Sequence, residues 1–157
     1  MTDTKKPATP LAKHMVEPCK QCPFSRDSVP GRLGGSTPEV FIGQIAGPFV
    51  LPCHMHCDFD DPHWRDDTFT TPQCAGAAIF RTHVGVADQM PEAIHRLPAN
   101  HEKVLSSYAE FLAHHKQIRL TQAIIQLAIE PVSILLSTEL RKSGIMHFAV
   151  KKPEDKK

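Results

Sequence analysis

A chain of 157 residues, 41% apolar and 22% charged, is long enough for one domain with a modest core and too short to divide comfortably into two. A net charge of +1 supplies no global field for nucleic acid or a membrane surface, and no apolar run reaches the roughly 20 residues of a membrane span. Fourteen prolines and few aromatics point to a loop-rich part held by something other than core packing.

Residues 1–17 carry Lys, Thr and Pro without apolar periodicity, and they lack the apolar stretch of a secretory signal. They are expected to form a flexible arm. A cytoplasmic protein follows from that reading, in which cysteines stay reduced and disulfides are not favoured. The five cysteines agree, since an odd number cannot all pair. The expected division is an arm over 1–17, a single metal-binding domain over 18–150 and a disordered charged tail over 151–157.

The segment from Cys19 to Gly35 is punctuated by Pro23, Pro30, Gly31, Gly34 and Gly35, and reads as loop. Ser36-Thr37-Pro38-Glu39 then opens a short helix, with Ser36 as cap and Glu39 three residues on as in a capping box. Val40, Phe41 and Ile45 form its buried side, Ile42 its flank, and Gly47-Pro48 its stop. Phe49-Val50-Leu51 suits a short strand delivering Cys53. Residues 58–72 form a long acidic loop with Asp58, Asp60, Asp61, Asp66, Asp67 and the single tryptophan, Trp64.

A second helix runs from Cys74 to about His83, its small residues Ala75, Gly76, Ala77 and Ala78 permitting close backbone approach, and Gly85 ends it. Asn100 caps a third, carrying Val104, Leu105, Tyr108, Phe111 and Leu112 on one face. Thr121–Ile129 and Val132–Leu140 are two more helices separated by Pro131, with buried strands as the alternative; their apolar residues are assigned to the core. Gly144 is the expected stop. The fold class expected is α-rich with little β: a loop-rich metal-binding N-terminal half and a helical C-terminal part.

All five cysteines fall between Pro18 and Ala78. Cys-x-x-Cys points two sulfurs to one side of a tight turn, which suits convergence on one ion. Cys19 and Cys22 have that spacing, and Cys53 and Cys74 complete a tetrahedral set. Cys57 is the alternative fourth ligand within Cys53-His54-Met55-His56-Cys57. Cys74 is preferred, because a thiolate at a helix N-terminus is stabilised by the macrodipole. His54, beside Cys53, is an alternative ligand, a donor to thiolate or an acid/base group. The remaining histidines, including His83, His101, His114 and His115, are read mostly as surface residues. Zinc is the expected metal and a [4Fe-4S] cluster the alternative.

The motifs Cys19-Lys20-Gln21-Cys22-Pro23-Phe24, Cys53-His54 and Cys74-Ala75-Gly76, with Arg26-Asp27, Pro30-Gly31, Leu33-Gly34 and Ala78-Ile79-Phe80-Arg81 between and after them, resemble those of an uncharacterised domain family seen mainly in bacteriophages and in bacteria such as actinomycetes. The resemblance spans roughly residues 18 to 85. It implies the ligand choice, leaves Cys57 outside the shared pattern and implies a phage or mobile-element origin, without supplying a reaction.

Three classes of function compete. Pro18-Cys19-Lys20-Gln21-Cys22 matches half of the zinc deaminase signature, but His14 and Glu17 are spaced one residue too far apart for the other half. A hydrolytic centre on His54, His56, Asp58, Asp60 and Asp61 needs a separate metal, because four thiolates saturate the first. Nucleic-acid binding has Arg26, Arg32, Arg65 and Arg81 near the site, opposed by the acidic loop. An interaction protein, a metal-stapled scaffold for a protein partner, ranks first, and no enzyme is the favoured reading.

Overall fold

The computed structural model describes residues 17–19, 21–51, 73–92, 94–98 and 101–143. Among these it is helix-rich with almost no strand: α1 Pro38–Ala46, α2 Ala75–His83, α3 Tyr108–Lys116, α4 Leu120–Ile129 and α5 Val132–Ser143, with a 3-10 turn at Ala87–Gln89. β structure among the described residues is confined to isolated bridges, one of them antiparallel between Ser25 and Val104. Arg26 N–H donates to the Lys103 carbonyl at 2.7 Å and Leu105 N–H to the Phe24 carbonyl at 2.9 Å, completing that short pairing.

The helix starts are set locally: α2 opens at Cys74 and α5 at Val132 as expected, while α1 and α3 are capped by other residues. Thr37, not Ser36, caps α1, its hydroxyl accepting from Val40 N–H at 3.2 Å, with Pro38 in the first turn. Glu39 then faces away from the cap, accepting from Lys116 Nζ and Gln126 Nε2 at 2.6 Å each and tying α1 to α3 and α4. Ile42, assigned to the flank, is instead 1% exposed and lies in the core with Ile45. The third expected helix begins eight residues after Asn100. Ser107 is its cap, accepting from Glu110 N–H, while Glu110 Oε1 accepts from Ser106 N–H. Val104 and Leu105 are therefore buried from an extended segment, on the same side as Phe111 and Leu112. Helical spacing across that boundary was accidental.

Four phenylalanines make the centre. Phe24 packs against Phe80 and Phe111 at 5.3 Å between ring centroids and against Phe41 at 6.0 Å. Each buried ring contributes about 1.5–3 kcal/mol. The few aromatics are thus concentrated, and the cysteine-bearing loop joins the core through Phe24 rather than standing outside it. α1 crosses α5 closely because Gly43 has no side chain: a Cβ there would stand 2.5 Å from the Leu135 carbonyl oxygen.

Loops are held by side chains that collect carbonyls. Arg81, 2% exposed, donates to the carbonyls of Ile45, Gln44, Gly47 and Phe49 at 2.7–3.2 Å, which fixes the chain after α1 against α2. Phe49 to Leu51 forms no strand, but Leu51 C=O accepts from Cys74 N–H at 2.8 Å. His83 Nδ1 donates to the Leu105 carbonyl, and His114 Nε2 to that of Ser28. These histidines are structural clasps, contrary to their reading as surface residues.

α4 corrects a second expectation. Ala123 is buried, but Leu120, Ile124, Ile125 and Ile129 are 50–79% exposed, so they do not belong to the core. No helix among the described residues is long and apolar enough to cross a membrane; Leu120–Ile129 and Val132–Lys142 pass that test only as a pair bent by 63°. The acidic loop, the stop at Gly144 and the tail lie outside the described residues.

His115 is the clasp whose protonation matters. It is 5% exposed, its Nδ1 accepts from Gly31 N–H at 3.0 Å, and its Nε2 donates to the Pro23 carbonyl at 2.7 Å. The neutral ring satisfies both partners; a charged ring would set a proton against Gly31 N–H. Burial lowers its pKa, the Pro23 carbonyl opposes this, and nearby His114 lowers it further. Since the unfolded value is about 6.5, the contribution of this group to stability is whole above that pH and is lost as pH falls through the folded value. An NMR titration is expected to give His115 a midpoint below that of an exposed histidine, with the melting temperature falling below about pH 6.5; a raised midpoint would contradict the clasp.

Candidate metal centre

Cys19 and Cys22 sit on successive tight turns. Cys22 N–H donates to the Cys19 carbonyl at 3.2 Å, and Ser25 N–H to the Cys22 carbonyl at 3.0 Å. The turn feeds directly into Phe24, whose burial anchors it. Cys74 is the N-cap of α2, its sulfur accepting from Ala77 N–H at 3.4 Å. Fifty-two residues apart in sequence, Cys22 and Cys74 meet with their sulfurs 3.7 Å apart, both buried.

That spacing has a chemical meaning. Two ligands of one tetrahedral ion with bonds of about 2.3 Å stand about 3.8 Å apart. In a [4Fe-4S] cluster each cysteine takes its own iron, which holds cysteine sulfurs farther apart than two ligands of a single ion. A disulfide needs about 2.05 Å and does not fit. The approach also requires Gly76, since a Cβ at that position would collide with Cys22 Sγ and press on Phe24 Cβ at 3.2 Å.

The two thiols are unequal. Cys74 lies below the ordinary thiol range because Cys22 donates a hydrogen bond to it; burial opposes this, while the Ala77 and Gly76 N–H groups and the charge of Arg81 add to it. Cys22 is raised well above that range, first because it keeps its proton in the hydrogen bond it donates to Cys74, then by burial and by the charge of Cys74. The pair on its own accommodates one negative charge, and a second needs a cation between the sulfurs. Phe24 N–H points at Cys22 Sγ and favours its thiolate. Backbone N–H groups of this kind are what orient thiolate ligands.

Cys19 is partly buried against the same core and close enough to raise the Cys22 pKa. It is not drawn into the pair: among the described residues, no three of His, Cys, Asp and Glu stand close enough to hold a metal ion. Cys53, Cys57, His54, His56, Asp58, Asp60 and Asp61 lie outside the described residues, as does Arg65. Leu51, two residues before Cys53 in sequence, is bonded to Cys74 N–H.

Two of the four arginines of the nucleic-acid reading are otherwise occupied, while Arg32 is exposed. Arg81 is committed to four carbonyls, and Arg26 pairs with Glu110 while donating to the Glu102 carbonyl and Ser106 Oγ. A hollow of about 250 Å³ at Thr82, Gly85, Ala87, Asp88, Arg96 and Leu97 lies at the other end of α2, roughly 12 Å of helix from Cys74. Arg96 there holds the carbonyls of Ala87 and Met90, so its hydrogen bonds serve the turn.

Gly76→Ala separates this geometry from helix propensity. In a helix interior the change ordinarily stabilises by about 0.5–1 kcal/mol. Here the expected outcome is destabilisation of about 1–3 kcal/mol, because Cys22 or the helix must move. Urea unfolding measures the sign, and a stabilised variant would contradict the contact.

Comparison of the chain with protein-family models, with curated proteins and with solved structures found no match.

Proposed function

We propose that the protein is a small zinc-stapled binding module, in which Cys19, Cys22, Cys53 and Cys74 hold one zinc ion that fixes the N-terminal loops onto the helical core, and whose function is to present a surface to another macromolecule. The observation that carries the reading is the buried Cys22–Cys74 pair at 3.7 Å, a separation suited to two ligands of one ion. The turn after Cys19, the N–H groups aimed at both sulfurs and the bond from Cys74 to Leu51 support the rest of the ligand set. A single shared ion favours zinc over the cluster. A four-thiolate site has no open position for a substrate, which favours a structural role over catalysis. The exposed apolar face of α4 supports a protein partner rather than nucleic acid. A site built on reduced thiolates favours a cytoplasm, and the motif resemblance favours a host cell infected by a phage.

Metal content and far-ultraviolet circular dichroism on protein purified without oxygen test the reading. One zinc per chain is expected. Cys22→Ser or Cys74→Ser is expected to abolish binding and unfold the chain, because the free energy of metal binding at such a site is folding free energy. Cys57→Ser is expected to keep both metal and fold. A Cys74→Ser protein that retained a full equivalent of metal would overturn the assignment.

A further inference from the structure

Cys22 and Cys74 stand at contact distance, 3.7 Å between sulfurs, without being bonded. Closure to a disulfide of about 2.05 Å asks each sulfur to move by less than about 1 Å. The start of α2 leaves room for this, because Gly76 has no Cβ to crowd Cys22 Sγ. Access to the pair runs through the third described cysteine. Cys22 and Cys74 are buried, whereas Cys19 is partly exposed and near enough for its charge to bear on Cys22.

Two disulfides are open to this trio, and they differ in what they hold. The Cys-x-x-Cys spacing alone would join Cys19 to Cys22. That bond closes a single turn, one already closed by the Cys22 N–H to the Cys19 carbonyl, and places no constraint on α2. The fold instead brings Cys22 to Cys74, with Cys19 not drawn into the pair. A bond there joins residues 52 apart in sequence and ties the turn, with Phe24 behind it, to the N-terminus of α2. A crosslink removes more freedom from the unfolded chain the longer the loop it closes, so this second bond is the one that stabilises the fold.

We propose that Cys22 and Cys74 are an oxidation site, in which a hydroperoxide reacts at Cys19 and the oxidation passes inward to a Cys22–Cys74 disulfide that replaces the zinc ion as the crosslink between loop and helix. In the first step the Cys19 thiolate attacks one peroxide oxygen; an S–O bond forms, the O–O bond breaks and hydroxide or alkoxide leaves. The Cys22 thiolate then attacks the Cys19 sulfur, forming an S–S bond and expelling hydroxide. The Cys74 thiolate attacks the Cys22 sulfur in turn, and Cys19 leaves as thiolate. Two thiolates have given up one electron each, and one hydroperoxide has taken both. Cys19 is returned unchanged, and the site, deprived of Cys22 and Cys74 as ligands, releases its metal. The release of metal rests on the zinc reading above; the disulfide does not.

Trypsin separates the cysteines: Cys19 falls in peptide 14–20, Cys22 in 21–26, Cys53 and Cys57 together in 33–65, and Cys74 in 66–81. The full chain, purified without oxygen, is treated with hydrogen peroxide, quenched with N-ethylmaleimide over a time course and mapped by mass spectrometry without reduction. The expected end product joins 21–26 to 66–81, preceded by a species joining 14–20 to 21–26. Zinc read with a chromogenic chelator is expected to be released in full while circular dichroism keeps its helical signal, and dithiothreitol with chelator is expected then to abolish that signal. An end product joining 14–20 to 21–26, a link to 33–65, or oxidation that stops at sulfinic acid overturns the proposal. So does an oxidised, zinc-free chain that unfolds. A link between 21–26 and 66–81 without the earlier species refutes entry at Cys19. The same link in a protein that carries no zinc leaves the disulfide standing and refutes the zinc reading; a full equivalent of zinc with no such link does the reverse.

Discussion

Cys22 can reach Cys74 only because residue 76 has no side chain, and much of the N-terminal half is arranged around that approach. The sulfur of Cys22 stands against the place that a Cβ of the second helical residue of α2 would take, so side chains of the loop rest directly on the helix backbone. Two residues on, Phe24 enters the cluster of Phe41, Phe80 and Phe111. The same loop is therefore held twice, by a sulfur pair at the N-terminus of α2 and by an aromatic ring in the core. In the metal-bound protein that we propose, the ion turns the first of these contacts from a weak thiol hydrogen bond into a crosslink.

Around this centre, irregular backbone is fastened by polar side chains that themselves come from helices. Arg81 projects from α2 and collects two carbonyls in the last turn of α1 and two just after it, and His114 and His115 project from α3 to the loop between Pro23 and Gly31. Burial pushes the Arg81 pKa down to about 10, still far above neutrality, so its charge persists. Buried carbonyls without partners each cost about 1–3 kcal/mol, which is why a loop-rich half can be enclosed only where such donors reach it. The metal, on this view, complements hydrogen bonding that already specifies the path of the loops.

Sequence patterning identified the α-rich class, the helix at Ala75–His83 with Cys74 at its start, the two helices around Pro131 and the need for small residues beside Cys74. It failed where two patterns competed. Val104 and Leu105 continue the apolar spacing of α3, yet the Ser107-x-x-Glu110 cap starts the helix later, and that signal was present in the sequence. The clasping roles of His83, His114 and His115 left no such trace, because a histidine that holds a distant carbonyl looks the same in sequence as one in solvent. The isoleucines of α4 misled for the opposite reason: apolar periodicity reports a face that prefers to be covered, and does not say whether this chain covers it. Of the proposed ligands, Cys74 was preferred from its place at a helix start, but its meeting with Cys22 depends on the fold, and the turn spacing pointed instead to Cys19 beside Cys22; the third and fourth ligands rest on the chemistry of four-coordinate zinc.

The central claim, one ion held by cysteine sulfurs, is tested most directly by X-ray absorption at the zinc edge on protein purified without oxygen. The account predicts a single shell of four sulfur scatterers at about 2.3 Å, without a second metal neighbour. A shell containing nitrogen or oxygen at about 2.0–2.1 Å would contradict the all-cysteine ligand set, and an absorber that proved to be iron with iron neighbours would contradict zinc itself.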